Sequence, residues 1–244
     1  MNTQPKRSSP LKTLIKPTAT VLLVGVVFIG MLFAITLGGS SIHSLFGMDS
    51  TQLWWYITRA AGLTGYFLLW LSMVWGFAVA TRIVHPVMEG TFIYDFHEYL
   101  SLLGLGFVFL HVTVLLFDKF LPFTILQLLV PFADSYRPFW VGLGILSFYI
   151  FLVVTVTFYL RGHISVQTFR SIHVLSIAGY LGTTLHGLFA GTDSSLPVTM
   201  FLYAGTFLVV VFLTVYWWVM RRPEKKKVEV KTPLRPSQYR HQHR

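Results

Sequence analysis

Residues 99–117 decide the fold of this chain, and they read YLSLLGLGFVFLHVTVLLF. This stretch contains no Asp, Glu, Lys or Arg. A helix rises about 1.5 Å per residue, so a charge-free interval of about 18 residues or more can cross the roughly 30 Å hydrocarbon core of a bilayer. The stretch therefore predicts a transmembrane helix, and it carries one polar ring, His111, in its second half.

Five further charge-free intervals are long enough to span a membrane. They are residues 17–48, 60–81, 138–160, 171–192 and 194–220. Residues 120–133 are also apolar, but they are too few and include Pro122 and Pro131, so we expect them to lie at the membrane surface. The predicted fold is an all-α membrane protein, a six-helix transmembrane bundle over residues 18–220. Basic cytoplasmic segments, residues 1–17 and 221–244, flank it, and we expect the second to be a disordered tail.

Composition agrees with this class. Hydrophobic residues make up 54% of the chain and charged residues 11%, whereas soluble domains carry about 25% charged residues. The net charge of +10 comes from residues at the chain ends and in short loops, which indicates attraction to membrane lipid rather than to nucleic acid. The chain has no cysteine, which excludes disulfides, thiolate metal sites and covalent haem attachment.

The basic residues also predict the orientation. If six spans place both termini on one face, that face has 16 Lys and Arg and the opposite face has 3. The positive-inside rule then puts both termini in the cytoplasm, in a multi-pass protein of the inner or plasma membrane. The first span follows a basic segment as a signal peptide would, but its length favours an uncleaved anchor.

Four histidines lie in two of the spans. His111 follows His97 by fourteen positions at the third span, and His186 follows His173 by thirteen at the fifth. Both spans cross in the same direction, so the four form two layers of two, about 20 Å apart. His97 and His173 lie toward the cytoplasm, and His111 and His186 lie toward the outside.

A single buried histidine is most simply explained by a hydrogen bond to a serine or a backbone carbonyl. Two matched layers favour a porphyrin held between facing imidazoles, which gives the iron both axial ligands. Helix geometry puts His97 and His111 on one face, but the shorter spacing leaves His173 and His186 about 140° out of phase. Gly104 and Gly179 lie midway between the histidines, either to make room for the cofactor or to allow close helix packing.

These features resemble the ferric reductase-like transmembrane domain family, which includes ferric reductases, NADPH oxidases and the haem subunit of bacterial periplasmic methionine sulfoxide reductase. The similarity covers roughly residues 18–220. It rests on the two histidine spacings and on four local stretches: RAAGLTG (59–65), HEYLSLLG (97–104), VPFADSYRP (130–138) and LHGLFAGTD (185–193).

The resemblance implies two b-type haems, with His97 and His173 as metal ligands on the cytoplasmic side and His111 and His186 on the outer side. Ferric reductases and NADPH oxidases add a C-terminal flavin and nicotinamide module. The stretch 221–244 that follows Met220 is too short for one, so we expect no flavin or NADPH in this chain.

The remaining predictions concern the haem propionates and the outer loop. Arg170 and Arg59 are the strongest candidates to pair with the inner and outer propionates, and each has a simpler role as an anchor at a span end. Arg82, Arg161 and Arg137 are weaker candidates. Residues 118–137 either cover the outer site or rest on the bilayer.

The leading functional hypothesis is a transmembrane electron-transfer protein with no catalytic residue of its own. Electrons would come from a separate flavoprotein or a quinol and leave to ferric iron, oxygen or a periplasmic redox partner. A haem-free scaffold or transporter with structural histidines is the alternative. A third hypothesis, an enzyme that oxidises NADPH alone, is disfavoured by the missing nucleotide domain.

Overall fold

The computed structural model describes residues 50–119 and 121–221. These residues form six α-helices and no β-strand. The predicted first span, the basic segment before it and the tail after residue 221 lie outside the described residues. The helices are α1 (Ser50–Ala80), α2 (Gly90–Val114), α3 (Ile125–Leu129), α4 (Pro138–Tyr159), α5 (Val166–Ala190) and α6 (Pro197–Met220).

Five of the helices are long and apolar enough to cross a membrane. They are α1, α2 with the 3₁₀ turn Leu115–Phe117 that continues it, α4, α5 and α6. Large apolar side chains stay exposed along them, including Phe201 at 78% and Phe212 at 67%. In water such exposed apolar surfaces would favour aggregation, whereas a helix that faces lipid is expected to carry them. The all-helical fold is confirmed for the described residues, with five helices that are long and apolar enough to span a membrane.

The helix starts differ from the charge-free intervals. α1 begins at Ser50 rather than near residue 60, and α2 begins at Gly90 rather than near residue 99. A charged residue marks the end of a charge-free interval, but it does not have to end the helix. The helix can continue through charged residues where their side chains find hydrogen-bond partners. Glu98, for example, accepts a hydrogen bond of 2.8 Å from the hydroxyl of Tyr159.

Local sequence signals explain the other helix starts. α4 and α6 each begin with a proline, which has no N–H to leave unsatisfied in the first turn. α5 begins after Ser165, whose hydroxyl accepts from the N–H of Thr168 at 3.0 Å. α3 has only five residues, which is too few to cross a membrane. The described residues 121–133 therefore agree with the prediction that residues 120–133 do not form a span.

The helices pack as two antiparallel pairs. α1 lies along α2, α4 lies along α5, and α6 contacts both α1 and α5. The main core lies where these pairs meet and is centred on aromatic side chains. This arrangement turns α2 and α5, the two histidine-bearing helices, toward the middle of the bundle.

Candidate functional site: two facing histidine pairs

The structure brings the four histidines together in the predicted pairs. The ring centres of His97 and His173 are 6.0 Å apart, with ring planes at 67°. Those of His111 and His186 are 6.3 Å apart, at 77°. α2 and α5 therefore face each other at two levels, and the out-of-phase spacing on α5 does not prevent either pairing.

The separation of the rings suits a metal between them. Two imidazoles ligating one iron from opposite sides have ring centres about 6.3 Å apart, because each metal–nitrogen bond is about 2.0 Å and each nitrogen lies about 1.15 Å from the centre of a ring with bonds of about 1.35 Å. Within the described ranges no three His, Asp or Glu side chains cluster to hold a metal ion. Each pair thus offers two ligands, which suits an iron whose other ligands belong to a porphyrin.

Each pair lines its own cavity. The cavity at His111 and His186 measures about 220 Å³, and the cavity at His97 and His173 about 120 Å³. Apolar side chains and a few hydroxyls line both. Leu69 and Phe151 line both cavities and so form part of the wall between them.

Three of the four rings are held through Nδ1. Nδ1 of His111 lies 2.8 Å from the carbonyl of Thr58, and Nδ1 of His186 lies 3.0 Å from the carbonyl of Trp140. Nδ1 of His97 lies 3.3 Å from the hydroxyl of Ser72. A histidine that donates from Nδ1 in this way presents its Nε2 lone pair as the ligand, which is the usual arrangement at metal centres.

The same three rings each lie directly against a glycine of the facing helix, which we call a glycine seat. This role of the glycines was not predicted from the sequence. A Cβ at Gly62 would lie 2.9 Å from His111 Nδ1, and one at Gly144 would lie 2.6 Å from His186 Nδ1. At Gly76 it would lie 3.0 Å from His97 Cε1. A signal was present in the chain, because Gly76 follows Gly62 by fourteen positions, the same spacing as the two histidines they face on the antiparallel helix.

Gly104 and Gly179 serve helix packing, the second of their two proposed roles. A Cβ at Gly104 would lie 3.1 Å from the side chain of Leu69, and one at Gly179 would lie 3.1 Å from Ile150 and 3.4 Å from Phe151. These glycines thus bring α2 and α5 close to the wall between the cavities. They make room for the wall rather than for a ligand.

A buried hydroxyl network lies at the level of that wall. Thr206 and Thr184 donate their protons to backbone carbonyls, at 2.7 Å and 2.9 Å. Tyr66 therefore donates to Thr206 at 2.6 Å and accepts from Tyr180 at 2.8 Å. Three helices, α1, α5 and α6, are joined here by side-chain hydroxyls that hydrogen-bond to one another.

The arginines are placed unequally. Arg59 lines the larger cavity, forms an ion pair with Asp193 and lies 3.9 Å from the ring centre of Trp55. Arg170 and Arg82 are exposed and do not line either cavity. Arg161 and Arg137 are exposed too, and each donates to a helix carbonyl. Arg59 is the arginine whose position suits an anionic group at a cavity, and the propionate roles remain predictions.

The described part of the segment after α2, residues 121–137, lies against the larger cavity, as one of its two predicted roles requires. Leu121, Phe123 and Leu128 line the larger cavity, while Ile125 and Leu126 on the same short stretch are 63% and 67% exposed. The hydroxyl of Tyr149 ties the segment to α4 by donating to the carbonyl of Leu129 at 2.5 Å. One side of the segment thus covers the cavity, and the other faces outward.

A comparison with known families, with curated proteins and with solved structures finds no match to this chain. The geometry of the two histidine pairs is therefore the basis on which a function is proposed.

Proposed function

We propose that this protein carries electrons across a membrane through two b-type haems, each held between two histidines. The observation that carries the proposal is the stacking of two facing pairs, His97 with His173 and His111 with His186, at ring separations of 6.0 Å and 6.3 Å. Along α2 the fourteen-position spacing separates the pairs by about 21 Å. A membrane would then have one redox site toward each face.

The chain's own residues support this chemistry in three ways. The four imidazoles would hold two haems, two imidazoles to each iron, and a haem held in this way would supply one-electron transfer rather than substrate binding at the metal. Ser72 and the carbonyls of Thr58 and Trp140 orient three of the rings. Leu69 and Phe151 line both cavities and place apolar side chains between them.

Orientation and partners belong to the proposal. With both termini in the cytoplasm, as the basic residues predict, electrons enter at the His97 side from a flavoprotein or a quinol. They leave at the His111 side to ferric iron, oxygen or a periplasmic redox partner. The similarity of the histidine spacings to the ferric reductase-like family supports the same direction.

The test is a dithionite-reduced minus oxidised spectrum of the purified full chain, with a haem-to-protein ratio. We expect b-type bands and a ratio near two. His111→Ala and His97→Ala should each lower the ratio by about one, whereas the control His163→Ala, an exposed loop histidine, should leave it unchanged. Protein that contains no haem after expression with excess haem would overturn the proposal.

The competing function is a haem-free membrane scaffold in which histidines join helices. The contacts of His111 and His186 to backbone carbonyls of α1 and α4 favour it, because such bonds connect helices without any metal. It predicts colourless protein and a His97→Ala variant that keeps its structure. The same haem-to-protein measurement separates the two functions.

A further inference from the structure

The four histidines are not held equally. His111 and His186 each contact a backbone carbonyl through Nδ1, and His97 contacts the hydroxyl of Ser72. Nδ1 of His173 is fully buried, and no described residue offers it a hydrogen bond. The Phe169 ring, centred 5.4 Å from that of His173, packs against it without a directional bond.

A local sequence rule explains the difference. Each held ring meets a residue that lies four positions before a glycine on the facing helix: Thr58 before Gly62, Ser72 before Gly76, and Trp140 before Gly144. In a helix the carbonyl of residue i−4 accepts from the N–H of residue i. With no side chain at residue i, a ring from the neighbouring helix can reach that turn.

α4 provides this arrangement only once. Gly144 faces His186. Because α4 runs antiparallel to α5 and His173 precedes His186 by thirteen positions, the residue of α4 level with His173 should lie thirteen positions after Gly144, at Thr157. The stretch 153–157 reads VVTVT and contains no glycine. β-Branched side chains cover the backbone there, so His173 has neither a glycine seat nor an exposed carbonyl.

The missing anchor has a chemical consequence at a metal. A hydrogen bond from Nδ1 fixes the ring and makes the imidazole a stronger donor, and loss of such a partner typically costs 10–100-fold in metal affinity. A stronger donor also stabilises the oxidised metal and lowers its reduction potential. His173 is therefore the weakest ligand of the four, both in orientation and in basicity.

We propose that His173 is the exchangeable ligand of the protein, so that the His97–His173 site accepts a small neutral ligand, of the class of carbon monoxide, in place of His173. The same site has the higher reduction potential, so electron transfer from it to the His111–His186 site is uphill between the two irons and is driven by oxidation of the second iron by the final acceptor. No hydrogen bond at Nδ1 from the described residues holds the His173 ring in place, whereas each of the other three rings has one. This inference rests on the proposed function, since it concerns iron held by the same histidines.

The primary test uses carbon monoxide on the dithionite-reduced full chain loaded with two haems. We expect spectral conversion of about half of the haem. In a potentiometric titration of the unmodified protein, we expect two reduction steps, one for each haem. Carbon monoxide should shift the midpoint potential of the higher-potential step and leave the other unchanged. Conversion of none or all of the haem, or a shift of the lower step, would overturn the inference.

A matched pair of variants assigns the site. In His186→Ala, which retains the His97–His173 pair, the haem at that pair should still bind carbon monoxide. In His173→Ala, the haem at the His111–His186 pair should bind none. The reverse pattern would contradict the proposal, and the titration of the unmodified protein remains decisive if either variant does not fold.

The outcomes separate this inference from the proposed function. A haem-to-protein ratio of zero overturns the proposed function, and this inference with it. A ratio of two with identical behaviour at both sites overturns the inference alone. If the purified protein retains only one haem, retention of that haem in His173→Ala supports the inference, and its loss in that variant overturns it.

Discussion

Gly62 of α1 lies directly against the ring of His111 on α2, and a Cβ at position 62 would be 2.9 Å from His111 Nδ1. The same nitrogen lies 2.8 Å from the carbonyl of Thr58, one turn earlier on α1. The absence of a side chain at one residue thus allows both the contact and the hydrogen bond. The position of the ring depends on the helix that faces it as much as on its own helix.

Gly62→Ala should displace the ring of His111 from the Thr58 carbonyl. Overpacking of this kind typically costs about 1–3 kcal/mol, and we expect the haem-to-protein ratio to fall toward one. Thermal unfolding in detergent and the pyridine haemochrome spectrum measure the two effects.

Gly205→Ala is the control for this substitution, because a Cβ at that position on α6 would meet no atom of the described residues within 4 Å beyond its own stretch of helix. It should be neutral or stabilising by up to about 1 kcal/mol, since alanine favours helix over glycine. If both variants lose haem equally, the glycine seat is not what positions His111.

Tyr66→Phe should destabilise the bundle by about 1–3 kcal/mol. The substitution removes one hydroxyl and, with it, the hydrogen bonds that Tyr180 and Thr206 make to Tyr66 in a buried site. Unfolding of the variant and of the matched control Tyr99→Phe, whose side chain is 48% exposed, provides the measurement. A Tyr66→Phe variant as stable as the control would show that the network contributes nothing.

The Tyr66 network illustrates what the sequence could not predict. Charge-free length is a strong signal, so five spans could be located from composition alone. The hydroxyl partners come from three different helices, and their meeting depends on helix rotation, which a uniformly apolar span does not specify. α4 is almost uniformly apolar, and the polar residues of α5 are spread around its circumference, so neither sequence defines a single face to align.

The histidine pairs were predictable for a different reason. Direction and depth follow from counting along the third and fifth spans, and these alone put His97 level with His173. Rotation did not follow, because the spacing on the fifth span leaves His173 and His186 out of phase on an ideal helix. In the structure both pairs form, but His173 faces His97 without a hydrogen bond to its own Nδ1 from the described residues.

Arg59→Gln and Asp193→Asn should each weaken the connection between α1 and the loop after α5. The two side chains form an ion pair and remain 20% and 28% exposed, and pairs this accessible contribute on the order of 1 kcal/mol or less. A double-mutant cycle on thermal stability should give a coupling of that size, and it should decrease as salt is raised.

The same variants test the propionate prediction for Arg59. Arg59→Gln should lower haem retention at the His111 pair more than Asp193→Asn does, because only the arginine can pair with an anionic propionate. Arg170→Gln is the comparison on the other face, where the side chain is exposed. Equal retention in all three variants would assign Arg59 to the ion pair alone.

Gln127→Ala should loosen the segment that covers the larger cavity. The side-chain oxygen of Gln127 accepts from the N–H of Thr124 at 2.9 Å, and its amide donates to the buried Asp134 at 3.2 Å. Loss of a capping box typically costs about 0.5–2 kcal/mol. Because Leu128 of the same short helix lines the cavity, loss of the cap should also expose the His111 pair to solutes from outside.

Hydrogen exchange over residues 121–137 measures the loosening, and the rate at which a water-soluble ferric chelate oxidises the reduced protein measures access. Both should rise several-fold in Gln127→Ala, because about 1 kcal/mol of lost stability increases the open population about fivefold. Gln167→Ala, an exposed glutamine on α5, should change neither. Faster exchange without faster oxidation would mean that the segment is anchored by Gln127 but does not control access to the site.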